Sequence, residues 1–351
     1  MDEYDVVVVG SGPGGCSTAH FLRHYAPGMR VLLLERLDDI RFHRYHRMCG
    51  EAVSARTFRE LGMHPAEVVH RIDRVEEHWP GGIRIAAPAK GYILNRPRFL
   101  QGMIDRYLRS GGEGAMASIC RVEEEGDGFL VTCRSGESHR AGYLVGADGA
   151  HSTVREQVMG DEPSLLIPAV QHLVDRPPVQ DTIIFKYHSR YQGGYRWEFP
   201  CGEMTKVGYP SGTDRMEEEV VESHGRPISA GGAGTVRRGN CLLVGDAAGQ
   251  TNPLTFGGIR PALVAGKMAA RAISRGRPDE YRSWWEGSPM SDPDFMAAYR
   301  RLSSMSDEDL EDSMLPLRKG YSVPSYIQAC LTRPEYRPLY RAYRKSYDHG
   351  W

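Results

Sequence analysis

The sequence predicts an α/β protein: a Rossmann-type dinucleotide-binding domain, interrupted by an antiparallel β-sheet domain and followed by a helical C-terminal segment. Three observations predict it. A glycine turn stands between two apolar strands near the start. Residues 163–236 switch to closely spaced strands and Pro- or Gly-bearing turns, and the pattern then returns to a buried strand. Residues 276–351 are mostly polar with helical spacing.

Residues 4–9 (YDVVVV) read as a buried strand, residues 16–25 as a helix and residues 30–35 (RVLLLE) as a second strand ending in an acid. Between strand and helix, Gly10, Gly12, Pro13, Gly14 and Gly15 form a tight turn of the G-x-G-x-x-G kind, with Glu35 about 20 residues further on. Gly10 lets the chain turn off the strand. Gly12 lets backbone approach a pyrophosphate, and Gly15 lets the helix pack on the sheet. The helix N-terminus offers free N–H groups to phosphate. Glu35 suits the ribose hydroxyls of an adenosine and argues against a 2′-phosphate; Arg36 beside it is the one basic neighbour. Strand, turn, helix, strand and acid all fall in order, so a dinucleotide site is favoured over an ordinary glycine turn.

Further along, residues 53–61 read as a helix with Ser54 as its cap. Residues 72–85 read as strands around a Pro80-Gly81-Gly82 turn, and residues 92–96 as a short strand. Pro97 starts a helix over residues 98–110, where Phe99, Met103, Ile104, Tyr107 and Leu108 recur at helical spacing. Residues 121–134 and 139–145 form a small antiparallel meander, which ends in the turn at Asp148 and Gly149. Strands follow at 165–172, 182–187, 195–199 and 205–209. Residues 240–246 return to a buried strand ending in Gly245 and Asp246, and residues 259–275 form a helix. At the C-terminus, residues 333–351 place Tyr336, Leu339, Tyr340, Tyr343 and Tyr347 on one face among basic residues. Such a helix either packs on the body or rests on a membrane surface as a peripheral contact; packing is the favoured reading.

Length suits two or three structural units. The formal net charge of −1 gives no basic field for nucleic acid. Seven cysteines are scattered with no C-x-x-C spacing, which points to reduced thiols in a cytoplasmic protein without a zinc site. The first strand begins close to Met1, leaving no room for a signal peptide, and no apolar run reaches membrane-span length.

Three later stretches belong with the first. Asp148 and Gly149 follow a strand; Gly245 and Asp246 end another; Arg96 precedes a helix. In this order they resemble the flavoprotein hydroxylase and geranylgeranyl reductase superfamily. That resemblance implies FAD, with Asp246 on the ribityl chain, Asp148 near the pyrophosphate and flavin edge, and Arg96 contacting FAD from outside the first motif. Gly257, Gly258 and Ile259 open a helix whose positive end suits a reduced flavin, and the resemblance places that loop against the isoalloxazine ring. Two more segments narrow the family. Met48-Cys49-Gly50-Glu51-Ala52 resembles the Cys-Gly-Glu-Gly segment of geranylgeranyl reductases, and Tyr195-Arg196-Trp197-Glu198-Phe199-Pro200 resembles their Y-x-W-x-F-P substrate motif. The implied domains are FAD-binding (1–75, 96–162, 236–275), substrate-binding β-sheet (76–95, 163–235) and C-terminal helical (276–351).

The implied reaction is reduction of prenyl double bonds by hydride from reduced FAD. Cys49 is the candidate for proton delivery or alkene positioning. Glu51, expected in an apolar pocket, is the second. Tyr195, Trp197, Phe199 and Pro200 are the candidate walls for a hydrophobic prenyl substrate. The electron donor stays open between a transiently docking NAD(P)H, a ferredoxin-like protein and another reductant. Ala52 and Phe256 stand where the family often has glycine, and the C-terminal part is short, which bears on the substrate more than on the cofactor. The competing readings are a flavin-dependent aromatic monooxygenase and a non-enzymatic flavin or lipid binder.

Overall fold

A computed structural model describes residues 2–47 and 49–349. Met48, first residue of the Cys-Gly-Glu segment, and Gly350 and Trp351, at the end of the expected last helix, lie outside the described residues. The strand Asp2–Val9, buried at Tyr4 and from Val6 to Val9, pairs in parallel with Val31–Glu35 on one side and Ser138–Gly146 on the other. Glu113–Met116 and Cys241–Leu243 extend the sheet in parallel. Ile119–Glu125 and Gly128–Cys133 form the expected meander with the start of Ser138–Gly146. Helices Pro13–Tyr25, Arg96–Arg109 and Ile259–Ser274 bury apolar stripes against this sheet. Asn95 caps the second of these through its side chain.

Glycine roles in the first turn are steric. A Cβ on Gly10 would lie 2.4 Å from the Ala147 carbonyl oxygen, and one on Gly15 would lie 1.8 Å from that of Gly10. The turn therefore packs directly on the loop that begins at Ala147.

The second sheet has eight strands, in spatial order Val220–Ala233, Pro163–Val174, Met204–Pro210, Arg196–Cys201, Thr182–Lys186, Val68–His78, Arg84–Leu94 and Ala52–Ser54. All neighbours are antiparallel except Thr182–Lys186 against Val68–His78, where the two inserted stretches of chain meet in parallel. Several expectations need correction. The expected helix over residues 53–61 is a strand, Ala52–Ser54, followed by helix Ala55–Leu61, and Ser54 makes no side-chain cap bond. The expected boundary between residues 75 and 76 falls inside the strand Val68–His78. Residues 92–94 end the long strand Arg84–Leu94, and Arg96 opens the next helix. The strand Val220–Ala233 was not expected, because its glycines and Pro227 read as turn punctuation. The polar stretch after Glu35 holds a helix, Asp39–His46, capped by Asp38.

The C-terminal helices form their own core with Trp79, Ile83, Ile85 and Leu254. In the helix Arg337–His349, Leu339, Tyr340 and Tyr343 are buried against that core, as is Tyr336 just before it. Most of its aromatic face is therefore spent on the protein body, in line with the favoured reading, while Tyr347 stays exposed. No helix among the described residues is long and apolar enough to cross a membrane.

Candidate active site

One cavity of about 670 Å³ runs from the first glycine turn to the C-terminal helices. Its near end is lined by Gly10, Gly12, Pro13, Gly14, Glu35, Arg96, Asp148, Gly149, Gly245 and Asp246. The helix Pro13–Tyr25 starts here with Gly12 at its cap and no side chain bound to its free N–H groups. Two enclosed polar atoms of side chains that line this end have no partner among the described residues: Arg96 Nη2 and His46 Nδ1. Burial, with Arg96 and Arg226 nearby, holds His46 well below its usual pKa, so it is a neutral imidazole. A buried guanidinium nitrogen without a partner is costly. An anionic diphosphate at the helix N-terminus would complement this cationic side chain, so the residues fit a dinucleotide here.

Glu35 Oε2 accepts from the Ser11 N–H (2.9 Å) and hydroxyl (2.6 Å), and Oε1 from the Leu37 N–H (2.9 Å). The acid is thereby fixed at the rim of the turn. Arg36 is exposed beside Tyr45 and does not line the cavity, unlike its expected place. Asp148 lines the cavity but accepts from Ser152 Oγ (2.5 Å) and the Val154 N–H (3.2 Å), capping the following turn. Burial raises its pKa. Buried Arg155 donates to the Ala150 and Ala247 carbonyls (2.9 and 3.0 Å) and so ties the two Gly-Asp loops together. Asp246 is engaged by Thr251 Oγ1 at 3.1 Å and lies 4.0 Å from Arg226.

The middle of the cavity joins the two family-like segments. Cys49 and Phe199 both line it. A Cβ on Gly50 would lie 2.4 Å from the Phe199 ring. Gly50→Ala is therefore expected to push that ring aside and cost about 1–3 kcal/mol. Urea denaturation measures the loss, and an unchanged midpoint would contradict the contact. Trp197 lies over Gly208, where a Cβ would come within 2.1 Å of the indole. Its Nε1–H donates to Gln171 Oε1 (3.2 Å), and Gln171 Nε2 donates to the Cys49 carbonyl (3.3 Å). Cys49 Sγ accepts from the Glu51 N–H at 3.3 Å. Glu51 itself sits in the left-handed region, at φ 60°.

The expected apolar setting for Glu51 is corrected. Its carboxylate is ion-paired with Lys206 and accepts from the Arg96 backbone N–H at 3.1 Å; Glu51 and Lys206 are both buried. Lys206 also donates to the Cys49 carbonyl at 3.0 Å. Pro200 is corrected too. On the strand Arg196–Cys201, side chains alternate, so Tyr195, Trp197 and Phe199 face the cavity while Pro200 faces away.

Tyr195 stacks on Phe256 (centroids 5.1 Å apart) and packs edge-on to Phe185 (4.8 Å). Its hydroxyl donates to the Thr255 carbonyl. Phe256 holds a φ of 49°, a conformation natural to glycine. Its ring fills cavity space that glycine would leave open, beside Gly257, Gly258 and Ile259, which also line the cavity. The helix Ile259–Ser274 begins there with Gly258 at its cap and no side-chain cap.

Sequence reasoning missed His46, Gln171, Lys206 and Arg226. Lys206 had one legible signal. It pairs across the strands with Phe199, as Gly208 does with Trp197, so both lie on the aromatic face.

Comparisons with known proteins bear on the fold and the family. Residues 8–66 match the NAD(P)-binding Rossmann-like domain family. The chain is 33% identical over 302 residues to digeranylgeranylglycerophospholipid reductase 1 of Methanopyrus kandleri, covering 76% of this chain and 79% of that one. It is 29% identical to digeranylgeranylglycerophospholipid reductase 2 of Methanothermobacter thermautotrophicus, covering 94% and 96%. Among solved structures, a geranylgeranyl bacteriochlorophyll reductase-like protein from Thermoplasma acidophilum superposes with a TM-score of 0.77 at 19% identity, over 99% of both chains. A flavin-dependent brominase superposes at 0.70 with 19% identity, over 99% of both chains. These two likenesses speak for the fold.

Proposed function

The chain belongs to the digeranylgeranylglycerophospholipid reductase family, and from that membership we propose an FAD-dependent reductase that saturates carbon–carbon double bonds of a geranylgeranyl-type prenyl lipid. One observation carries the reading. A single cavity joins the dinucleotide cradle to an aromatic wall, with Cys49 between them.

Reduced FAD, when bound, supplies a hydride. Gly10 to Gly14 and the helix N-terminus would hold its diphosphate, with Arg96 donating to it. Glu35 would take the adenosine ribose, Asp246 the ribityl chain, and residues 257–259 the isoalloxazine edge. The aromatic wall of Tyr195, Trp197, Phe199 and Phe185 would hold the prenyl chain by apolar burial, at roughly 0.8 kcal/mol per CH₂. Burial there also keeps water from the reacting carbons. An unpolarised alkene gives a protein little to grip, so positioning must come from wall shape.

The second hydrogen arrives as a proton. Cys49 Sγ carries it on the cavity side. The links from Gln171 and Lys206 to the Cys49 carbonyl and from the Glu51 N–H to Sγ fix the thiol. Glu51 acts as a positioning residue: its ion pair holds the segment in place. Phe256 would narrow the space beside a flavin held by residues 257–259 and so select slender, linear chains.

The test uses FAD-loaded protein reduced anaerobically with dithionite, which removes dependence on the native donor, whether NAD(P)H or a ferredoxin-like protein. Geranylgeranyl lipid should reoxidise the flavin without oxygen. Cys49→Ala should retain FAD and slow that step by about 10²-fold or more. Equal reoxidation rates would remove Cys49 from the reaction. Reoxidation by oxygen and an aromatic acceptor alone would favour the monooxygenase reading.

A further inference from the structure

One helix of the C-terminal segment keeps an apolar stripe on its outer face. The helix Val323–Thr332 turns Tyr326 and Ala329 into the C-terminal core. Its other face carries Val323, Ile327 and Leu331, spaced four apart and 53, 56 and 71% exposed. This is not the surface expected from the sequence: the aromatic face of Arg337–His349 is mostly buried, and the helix before it carries the exposed stripe. Cations frame that stripe. Arg318 and Lys319 precede the helix and are exposed. Exposed Arg337 donates its Nε–H to the Cys330 carbonyl (2.9 Å) near the other end. None of the three has a carboxylate partner among the described residues. No Asp or Glu falls between Asp312 and Glu335. The stripe also adjoins the cavity. Tyr321, one residue before the cap Ser322, lines its far end with Tyr343, Ser346 and Tyr347. The Tyr321 ring stacks on Tyr326 (centroids 5.9 Å apart) and lies 6.3 Å from Tyr347. Its hydroxyl and the Trp79 indole N–H (3.1 Å) both donate to the buried Glu77 carboxyl, which fixes this end. Tyr347 is 45% exposed, so the cavity reaches the surface beside the helix.

We propose that the helix Val323–Thr332 rests on an anionic lipid bilayer and sets the Tyr347 end of the cavity against the lipid. Val323, Ile327 and Leu331 enter the interface, and Arg318, Lys319 and Arg337 meet the headgroups. The proposal rests on the reductase reading for its purpose: a geranylgeranyl lipid is too apolar to dissolve and has to pass from a bilayer into the cavity. Apolar side chains at the headgroup boundary and cations near anionic lipid add to one another in surface binding. A helix of ten residues is about 15 Å long, so it lies in the interface and does not cross a core of about 30 Å. A second copy of the chain fits less well. A stable dimer needs roughly 800 Å² from each partner, more than three such side chains expose. A soluble acidic partner would pair with the cations and leave the stripe in water.

The test measures co-sedimentation of the FAD-loaded chain with phosphatidylcholine vesicles, with and without phosphatidylglycerol and free of prenyl lipid. Vesicles with the anionic lipid should bind about tenfold tighter or more, and the advantage should shrink as salt rises. Ile327→Gln with Leu331→Gln should weaken binding to both about tenfold or more. Arg318→Gln with Lys319→Gln should remove most of the anionic preference. All four side chains are exposed, so the fold tolerates the changes. Reoxidation of reduced flavin by geranylgeranyl lipid in detergent should be unchanged in both variants, whereas reoxidation by the same lipid in vesicles should slow with the binding. Vesicle binding unaltered by the apolar pair, or a dimer in solution that these substitutions split, would overturn the membrane surface. If docking fails but lipid in detergent reoxidises the flavin, the reductase reading survives. If vesicles bind but the lipid reoxidises the flavin in neither form, docking stands and that reading fails.

Discussion

Lys206→Met is expected to cost about 3–5 kcal/mol of stability, because it leaves the Glu51 carboxylate buried without its cation. Both side chains are almost wholly enclosed, so water does not replace the lost partner. The ammonium also holds the Cys49 carbonyl, and Glu51 holds the Arg96 N–H, so the loss spreads from one edge of the site to the other. Retention of the proposed FAD should fall with stability. The double variant Lys206→Met with Glu51→Gln removes both charges and should recover most of the loss. Urea unfolding of the single and double variants measures this. A double variant less stable than Lys206→Met would contradict the pair.

The second large effect is on pH dependence. Burial raises Glu77 from an ordinary 4.5 to about 7. The folded state then holds a proton that the unfolded chain releases. The linked stability is fully present below about pH 4.5 and is lost as pH rises through about 7. Tyr187, Tyr195, Tyr321 and Tyr343 surround the carboxyl, and burial holds each above its usual pKa, so none ionises in this window. Glu77→Gln retains an acceptor for Tyr321 and Trp79. It should remove this component of the pH slope and gain up to about 3 kcal/mol at pH 8 relative to the native chain. A slope between pH 5 and pH 8 identical to that of the native protein would contradict the shifted carboxyl.

The first 35 residues were legible because their signals are local. A glycine turn, an apolar strand and a terminal acid each constrain the next few residues, and the parallel pairing of Asp2–Val9 with Val31–Glu35 follows from them. The link between Cys49 and Trp197 was readable only through family resemblance. Its physical basis, Gly50 under Phe199 and Gln171 between Trp197 and Cys49, joins residues more than a hundred positions apart. Val220–Ala233 escaped because glycine and proline usually punctuate turns, yet Gly225 and Pro227 here lie in an edge strand, where they are tolerated. Glu51, Lys206 and Glu77 are charged residues in buried positions. Patterning assigns such residues outward, so the sites that depend on burying them are the ones it conceals.

The central claim is that prenyl double bonds are saturated in this cavity, and the most direct measurement is the mass of the lipid. Dithionite-reduced, FAD-loaded protein is mixed anaerobically with a geranylgeranyl lipid, and the recovered lipid is weighed by mass spectrometry. The lipid should gain two hydrogens for each flavin reoxidised, both of them deuterium when reduction and reaction are run in heavy water, because dithionite supplies only electrons and the flavin N5 hydrogen comes from solvent. A lipid of unchanged mass beside a flavin that stays reduced would contradict the account.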